Sequence, residues 1–312
     1  MFLKKRIGLL LCLQLLSIGL LAQKKVYMFS YFKGNGEDGL HLAYSNDGLS
    51  WKALKGDSSF LTPTVSKDKL MRDPCILKGP DGYFYMVWTV SWNDRGIGYA
   101  RSKDLIHWSE QQFIPVMANE PTALNCWAPE INYNNQTKEY FIYWATTIPD
   151  RFKNDGQKGD GKYNHRMYSV TTKDFKSFSS TKLFYDPGFN VIDATIIKAG
   201  KKYVMFLKDE TKEPVQKNLK VALSQQLSTG FSPASEPILG LNWIEGPTAT
   251  KVGNNWVVYF DQYTRHKMGA VSSPDLKNWT DISDQITFPN GTRHGTVFTI
   301  TQKEFQKLKQ FD

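Results

Sequence analysis

From about residue 25 to 300 the chain alternates short apolar runs with clusters of Gly, Asn and Asp. No long helical pattern interrupts them, so the order points to short β-strands joined by tight turns. One phrase recurs: AYSNDGLSW at 43–51, ARSKDLIHW at 100–108, SVTTKDFKSF at 169–178 and AVSSPDLKNW at 270–279, with a degenerate copy, ALSQQLSTGF, at 222–231. Each reads as a strand entering a polar turn that an aromatic residue closes. Aromatic strands precede the phrases, namely GYFYMVWTV (82–90), EYFIYWATT (139–147), KYVMFLKDE (202–210) and NWVVYFDQY (255–263). Each of these follows a turn and a shorter apolar strand: PCILKGPDG, EINYNNQTK, ATIIKAGKK and PTATKVGNN.

The unit is therefore four antiparallel strands recurring every 50 to 60 residues or so, which describes a propeller blade. A β-sandwich is the alternative, but its strands need not recur in fours. Four complete units start near residues 73, 130, 193 and 245. A fifth assembles from both ends, with RHGTVFTITQKEFQKL (293–308) giving its innermost strand and residues 26–51 the rest. The expected fold is an all-β, five-bladed propeller whose ring is closed by N- and C-terminal strands in one blade, which hides the terminal edges.

Aligned on this period, the heads of the innermost strands carry Asp73 (MRDPCI), Glu130 (CWAPEI), Asp193 (NVIDAT), Glu245 (WIEGPT) and His294 (TRHGTV). Such strands line the central channel, so the five side chains should converge at one mouth of it. Carboxylates brought together raise one another's pKa, which serves acid/base chemistry and does nothing obvious for folding.

Composition narrows the setting. Residues 1–22 combine a positive MFLKKR with an apolar IGLLLCLQLLSIGLL, the pattern of a secretory signal, leaving residues 23–312 as one domain. A membrane anchor is the alternative reading of that segment; stable membrane insertion is not expected, and the location is secreted or periplasmic. Removing it takes away Lys4, Lys5 and Arg6 and no acid, lowering the net charge from +9 to +6. The remaining lysines are scattered over turns, so no nucleic-acid partner is indicated. An anionic polysaccharide is compatible with the charge but not required by it. The mature chain keeps Cys75 and Cys126, each in an apolar strand, which reads as two buried thiols and leaves one bridge open.

Asp-Pro opening an early blade, an Asp before a short apolar strand two blades on, Glu-Gly-Pro in the next and a late His-Gly together resemble glycoside hydrolase family 43. The likeness runs through essentially the whole mature chain. It implies Asp73 as general base, Glu245 as general acid and Asp193 as the acid that orients Glu245 and tunes its pKa. Apolar surroundings and Asp193 should keep Glu245 protonated, with Arg72 or another pocket cation keeping Asp73 ionised. Glu130 is implied as a support residue, Arg265 as a partner of the acid pair, and His294 as holding water or a metal ion. No cofactor is required, although a structural calcium in the channel fits the resemblance.

Sugar rings present apolar C–H faces that flat side chains suit, which singles out Trp88, Trp92, Trp127, Trp144 and Trp243. Trp51, Trp108 and Trp279 recur at blade turns and read as packing residues. The implied substrate is an arabinose-, xylose- or galactose-containing oligo- or polysaccharide. An exo-acting α-L-arabinofuranosidase is the first choice, and a β-xylosidase, a galactofuranosidase or a galactan-active enzyme would differ only in the pocket. A noncatalytic glycan-binding propeller is the reading from another class; loss of an acid would mark it, and all three acids are present. The polar, Gly-rich segment 151–166 is expected either to wall the pocket or to face solvent.

Overall fold

The computed structural model describes residues 25–152 and 161–311. The expected signal, 1–22, lies outside the described residues, as does the middle of the 151–166 segment. Among the described residues no helix is long and apolar enough to cross a membrane.

Five sheets form the blades of a propeller. Strands β1 (Lys25–Tyr31), β2 (His41–Ser45) and β3 (Lys52–Ala53) begin the chain. The first complete blade holds β4 (Arg72–Lys78), β5 (Phe84–Thr89), β6 (Ile97–Ser102) and β7 (Gln112–Ile114). The second holds β8 (Trp127–Asn134), β9 (Glu139–Thr146), β10 (Arg166–Thr172) and β11 (Lys182–Tyr185). The third holds β12 (Val191–Ala199), β13 (Lys202–Asp209) and β14 (Asn218–Ser224). The fourth holds β15 (Glu245–Val252), β16 (Asn255–Gln262), β17 (Lys267–Ser273) and β18 (Thr280–Asp281). Then β19 (Thr296–Thr301) pairs antiparallel with β1, closing the ring as the sequence implied. Helix α1 (Gln302–Lys309) caps the end, its N-terminus fixed by a Thr301–Glu304 capping box.

The third blade departs from the four-strand expectation. Where an outer strand should run, the chain reads SPASEPI, and only Ser232, Ser235 and Ile238 donate backbone N–H bonds to β14. Pro233 and Pro237 have no N–H to give, so the ladder never becomes regular.

The recurring turn phrase has a local cause. Asp47, Asp104, Asp174 and Asp275 each accept two backbone N–H bonds, from residues two and three further on. A short acceptor side chain thus folds each outer turn in the same way. Blades adhere through aromatic packing. Phe175 of the second blade stacks on Tyr85 and Tyr99 of the first, at 4.9 and 4.3 Å between ring centres. Trp51 packs on Phe29, Tyr259 and Phe288, and Trp279 on Phe206, so both serve blade contacts. Cys75 and Cys126 are buried free thiols.

Four innermost strands share an irregularity that places the chemistry. Pairing with the second strand skips two residues after Arg72, Trp127, Ile192 and Glu245. The first skipped residue has positive φ each time: Asp73 (52°), Ala128 (45°), Asp193 (53°) and Gly246 (58°). Such a bulge turns the strand head and re-aims its side chains toward the channel mouth.

Candidate active site

The bulges correct the alignment of acids. Asp73 and Asp193 are structural equivalents, but Glu245 sits one residue before that position and Glu130 two residues after it. Counting along a pleated strand, that offset separates Glu130 from the others. Its equivalents are Cys75, Thr195 and Thr248, residues of the channel wall.

A cavity of about 490 Å³ opens at the mouth, lined by Arg72, Asp73, Asp193, Glu245, Arg293 and His294 at its charged base. Trp92, Trp127, Tyr163, His165 and Tyr263 form its aromatic wall. This size lies within the usual range for small-ligand sites.

Asp73 is anchored on both oxygens. The Thr89 hydroxyl donates to Oδ2 at 2.8 Å, and His294 Nδ1 lies 3.2 Å from Oδ1. Thr89 Oγ1 also accepts from Ala128 N at 2.8 Å, tying the first two bulges together. Burial alone would raise the Asp73 pKa, but the His294 charge, its hydrogen bond and Arg72 outweigh it and hold the carboxyl at about 2. Asp73 is therefore ionised, a poised acceptor of protons.

Glu245 sits between two cations, not in apolar surroundings. Lys208 Nζ donates to Oε2 at 3.0 Å and Arg293 Nη2 to Oε1 at 3.2 Å. Burial would raise its pKa, but Lys208, Arg293 and His294 together lower it. The displaced proton affinity appears next door. Burial, abetted by the Glu245 charge, pushes Asp193 up to about 7 against the pull of His294. The same two causes push Asp261 up to about 6 against Arg293, whose Nε donates to its Oδ2 at 2.5 Å. The Glu245 charge acts on both neighbours, so Glu245, Asp193 and Asp261 titrate as one coupled cluster.

The Glu-Gly-Pro sequence has a steric reason. A Cβ on Gly246 would lie 2.3 Å from the His294 ring, and its backbone is in the left-handed region. Only glycine lets the ring close over the bulge, where Gly246 N donates to Asp193 Oδ2 at 3.0 Å. His294 thus lies between Asp73 and Asp193, 3.8 Å from the latter. Burial would lower its pKa, but the Asp193, Asp73 and Glu245 charges raise it to about 9.

Among the described residues no group of three or more His, Cys, Asp or Glu side chains is placed to hold a metal. His294 stands instead as the cation between Asp73 and Asp193.

Other expected residues lie elsewhere. Glu130 is buried, accepting from Thr195 Oγ1 at 3.0 Å and Thr296 Oγ1 at 3.1 Å, and does not line the cavity. Burial, only partly offset by His294, pushes its pKa up to about 7. Trp88 is fully buried in the core of the first and fifth blades, and Trp144 is equally buried. Neither can meet a sugar. Trp243 does not line the cavity and meets Tyr263 edge-on at 6.4 Å, and Arg265 is exposed with its guanidinium on Asn242 O at 3.2 Å. The arginine on the acid is Arg293, next to His294 in the chain. Trp127 and Trp92 do line the cavity, edge to face at 5.5 Å.

Lys208 and Glu210 were not expected. Lys208 is fully buried in β13, 2.6 Å from Glu210, which also pairs with Lys217. A lysine directly after the apolar run VMFL in a buried strand was the available signal, since a buried ammonium needs carboxylates. Tyr163 and His165 come from the polar segment, whose C-terminal end therefore does wall the cavity.

A family model described as a probable glycosyl hydrolase domain, related to family 43, matches residues 23–306. An α-L-arabinofuranosidase from Bifidobacterium longum is 25% identical over 187 residues, 53% of this chain and 17% of that protein. The chain thus spans about a sixth of that relative's length. An α-L-arabinofuranosidase from Lactobacillus brevis superposes with a TM-score of 0.52 at 21% identity, over 68% of this chain and 72% of that one. A family-43 enzyme from Xanthomonas citri, complexed with xylose, gives 0.54 at 14% identity over 71% and 75%. An exo-β-1,3-galactanase from Clostridium thermocellum gives 0.51 at 17% identity over 70% and 50%. At these identities the likeness of structure concerns the fold.

Proposed function

Because the chain belongs to the family-43-related glycosyl hydrolases, we propose that it is an inverting glycoside hydrolase, specifically an exo-acting α-L-arabinofuranosidase. The observation that carries this reading is the opposition of two carboxyl environments in one cavity. Asp73 is held ionised at about 2, while the Glu245–Asp193–Asp261 cluster retains a proton up to about 7.

In this mechanism Asp73 takes a proton from water as it attacks the anomeric carbon. The cluster delivers its proton through Glu245 to the departing glycosidic oxygen on the opposite face. Glu245 departs from the expectation of an acid kept neutral by apolar walls. Its cationic neighbours make it a strong acid, and Asp193 and Asp261 hold the proton it passes on. His294 remains charged between Asp73 and Asp193 and keeps the base ionised. The aromatic wall of Trp92, Trp127, Tyr163 and Tyr263 suits the apolar face of one terminal sugar, which favours exo attack. Arabinose is favoured by the Bifidobacterium relative.

The test is a hydrolysis panel of nitrophenyl α-L-arabinofuranoside, β-D-xyloside and β-D-galactofuranoside, with Asp73→Asn and Glu245→Gln alongside. Turnover of the arabinofuranoside, lost in both variants, is the expected result. Preference for another of the three would move the sugar and keep the mechanism. Undiminished turnover in either variant would overturn the roles.

A further inference from the structure

Arg72 adds to the field that keeps Asp73 ionised, but the hydrolytic mechanism gives its hydrogen-bond donors no partner on the substrate. It immediately precedes the base, and two aromatic rings and Asn35 hold it in place. Its guanidinium lies over the Phe32 ring at 4.6 Å and the Trp92 ring at 4.4 Å. Nη1 donates to Asn35 Oδ1 at 3.0 Å and more weakly to Asn35 O at 3.4 Å. The same Asn35 Oδ1 accepts from Trp92 Nε1 at 3.0 Å, so one side-chain oxygen fixes both the cation and its stacking partner.

Among the described residues no carboxylate pairs with Arg72. The other cations of the cavity are committed: Arg293 to Asp261 and Glu245, His294 to Asp73 and Asp193. Of the five guanidinium N–H donors, those on Nε and Nη2 make no hydrogen bond to the described residues. Nε–H and one Nη2–H form the parallel pair that grips a carboxylate by both oxygens. Two aromatic faces orient that fork in advance, which lowers the ordering cost of using it. Trp92 beside it is half exposed and offers an apolar plane.

We propose that the cavity takes a glycan bearing a carboxylate, of the uronic-acid class, and that Arg72 binds this group beside the sugar that is cleaved. The proposal rests on the carbohydrate reading of the site and goes beyond it by naming a charge on the substrate. It gives a basic chain, +9 over the full sequence and +6 without residues 1–22, an acidic polysaccharide as its partner.

Calorimetric titration with methyl β-D-glucuronide and methyl β-D-glucoside, which differ in the carboxylate, tests it. The wild type should bind the glucuronide about tenfold more tightly, as one charge-assisted pair provides. The preference should shrink with salt, fall in Arg72→Lys and vanish in Arg72→Gln. Asn35→Ala, which frees the guanidinium without removing it, should reduce it in part. Equal affinity for the two sugars, no binding of the glucuronide, or a preference that survives in Arg72→Gln would each overturn the inference. Hydrolysis of a neutral glycoside without any glucuronide preference would sink this proposal and leave the hydrolase reading standing. A preference lost with Arg72, in a protein that hydrolyses nothing, would do the reverse.

Discussion

Replacing Lys208 by Met would remove a buried ammonium 3.0 Å from Glu245 and 2.6 Å from Glu210 while keeping a side chain of similar length. A unit charge at 3.0 Å interacts by about 5–6 kcal/mol at an effective dielectric near 20. Relaxation and water entry reduce this, and carboxyls beside a cation are typically shifted by about 1–3 pKa units. Since Arg293 stays on the other oxygen, Glu245 should lose only the Lys208 share of its depression. Its pKa therefore rises, and the cluster holds its proton to higher pH. The assay is kcat/KM against pH on whichever glycoside the enzyme turns over. In the wild type the alkaline limb should fall near 7, where Asp193 gives up its proton. In Lys208→Met the limb should move up by about 1–3 units, and Lys208→Arg should bring it back toward the wild type. A uniform loss of rate with the limb unmoved would refute the reasoning, because it would reduce Lys208 to packing. Thermal unfolding of the variant separates that outcome from simple instability, since a buried pair broken on one side costs about 3–5 kcal/mol.

Glu130→Gln should keep the hydrogen bonds to one threonine and remove a buried acid whose folded pKa is about 7 against 4.5 unfolded. An acid with a raised pKa makes the folded state lose stability as pH rises through that window, so the variant should gain up to roughly 3 kcal/mol over the wild type at pH 8. Denaturant unfolding at pH 4 and pH 8 measures it, and equal differences at both would contradict it. For the whole chain, Asp193 and Asp261 act in the same direction between pH 4 and 7, and His294, raised to about 9, loses its contribution between 6.5 and 9. Asp73 contributes the opposite slope between about 2 and 3.8, and buried His165, lowered to about 3, does so up to 6.5 but is outweighed by the three raised acids, so melting temperature should peak near pH 4–5 and decline toward pH 9. A peak above pH 7 would show that the buried acids are not raised. Gly246→Ala should displace His294, destabilise by about 1–3 kcal/mol and lower the rate at least tenfold. A fully active, equally stable variant would remove the steric account of the Glu-Gly-Pro motif.

The blades were legible in the sequence because their cause is local. Each aromatic strand carries its own burial pattern, and four of the five outer turns are folded by their own Asp acceptor. Even ring closure could be read, since the half-blades at the two ends are complementary. The third blade's missing strand was written in Pro233 and Pro237, but the four-fold period overrode them. At the site, the positions of Asp73, Asp193 and Glu245 followed from the strand heads, whereas Glu130 did not. A bulge shifts register by residues that no hydrophobic pattern records, and a two-residue offset carried Glu130 into the channel wall. The partners of Glu245 were hidden for a different reason. Lys208 and Arg293 reach it from 37 and 48 residues away, across strand order that only the closed ring defines. Arg265, nearer in sequence, turns outward. Trp88 and Trp144 show the limit of composition, since an indole inside an aromatic strand reads alike whether it meets a sugar or a neighbouring blade.

The most direct measurement of the central claim is the anomeric configuration of the first-formed sugar, followed by proton NMR during the opening minutes of hydrolysis. With Asp73 as base toward water, the product should appear with inverted configuration before mutarotation begins. Initial release of the retained anomer would contradict the account and recast Asp73 as a nucleophile.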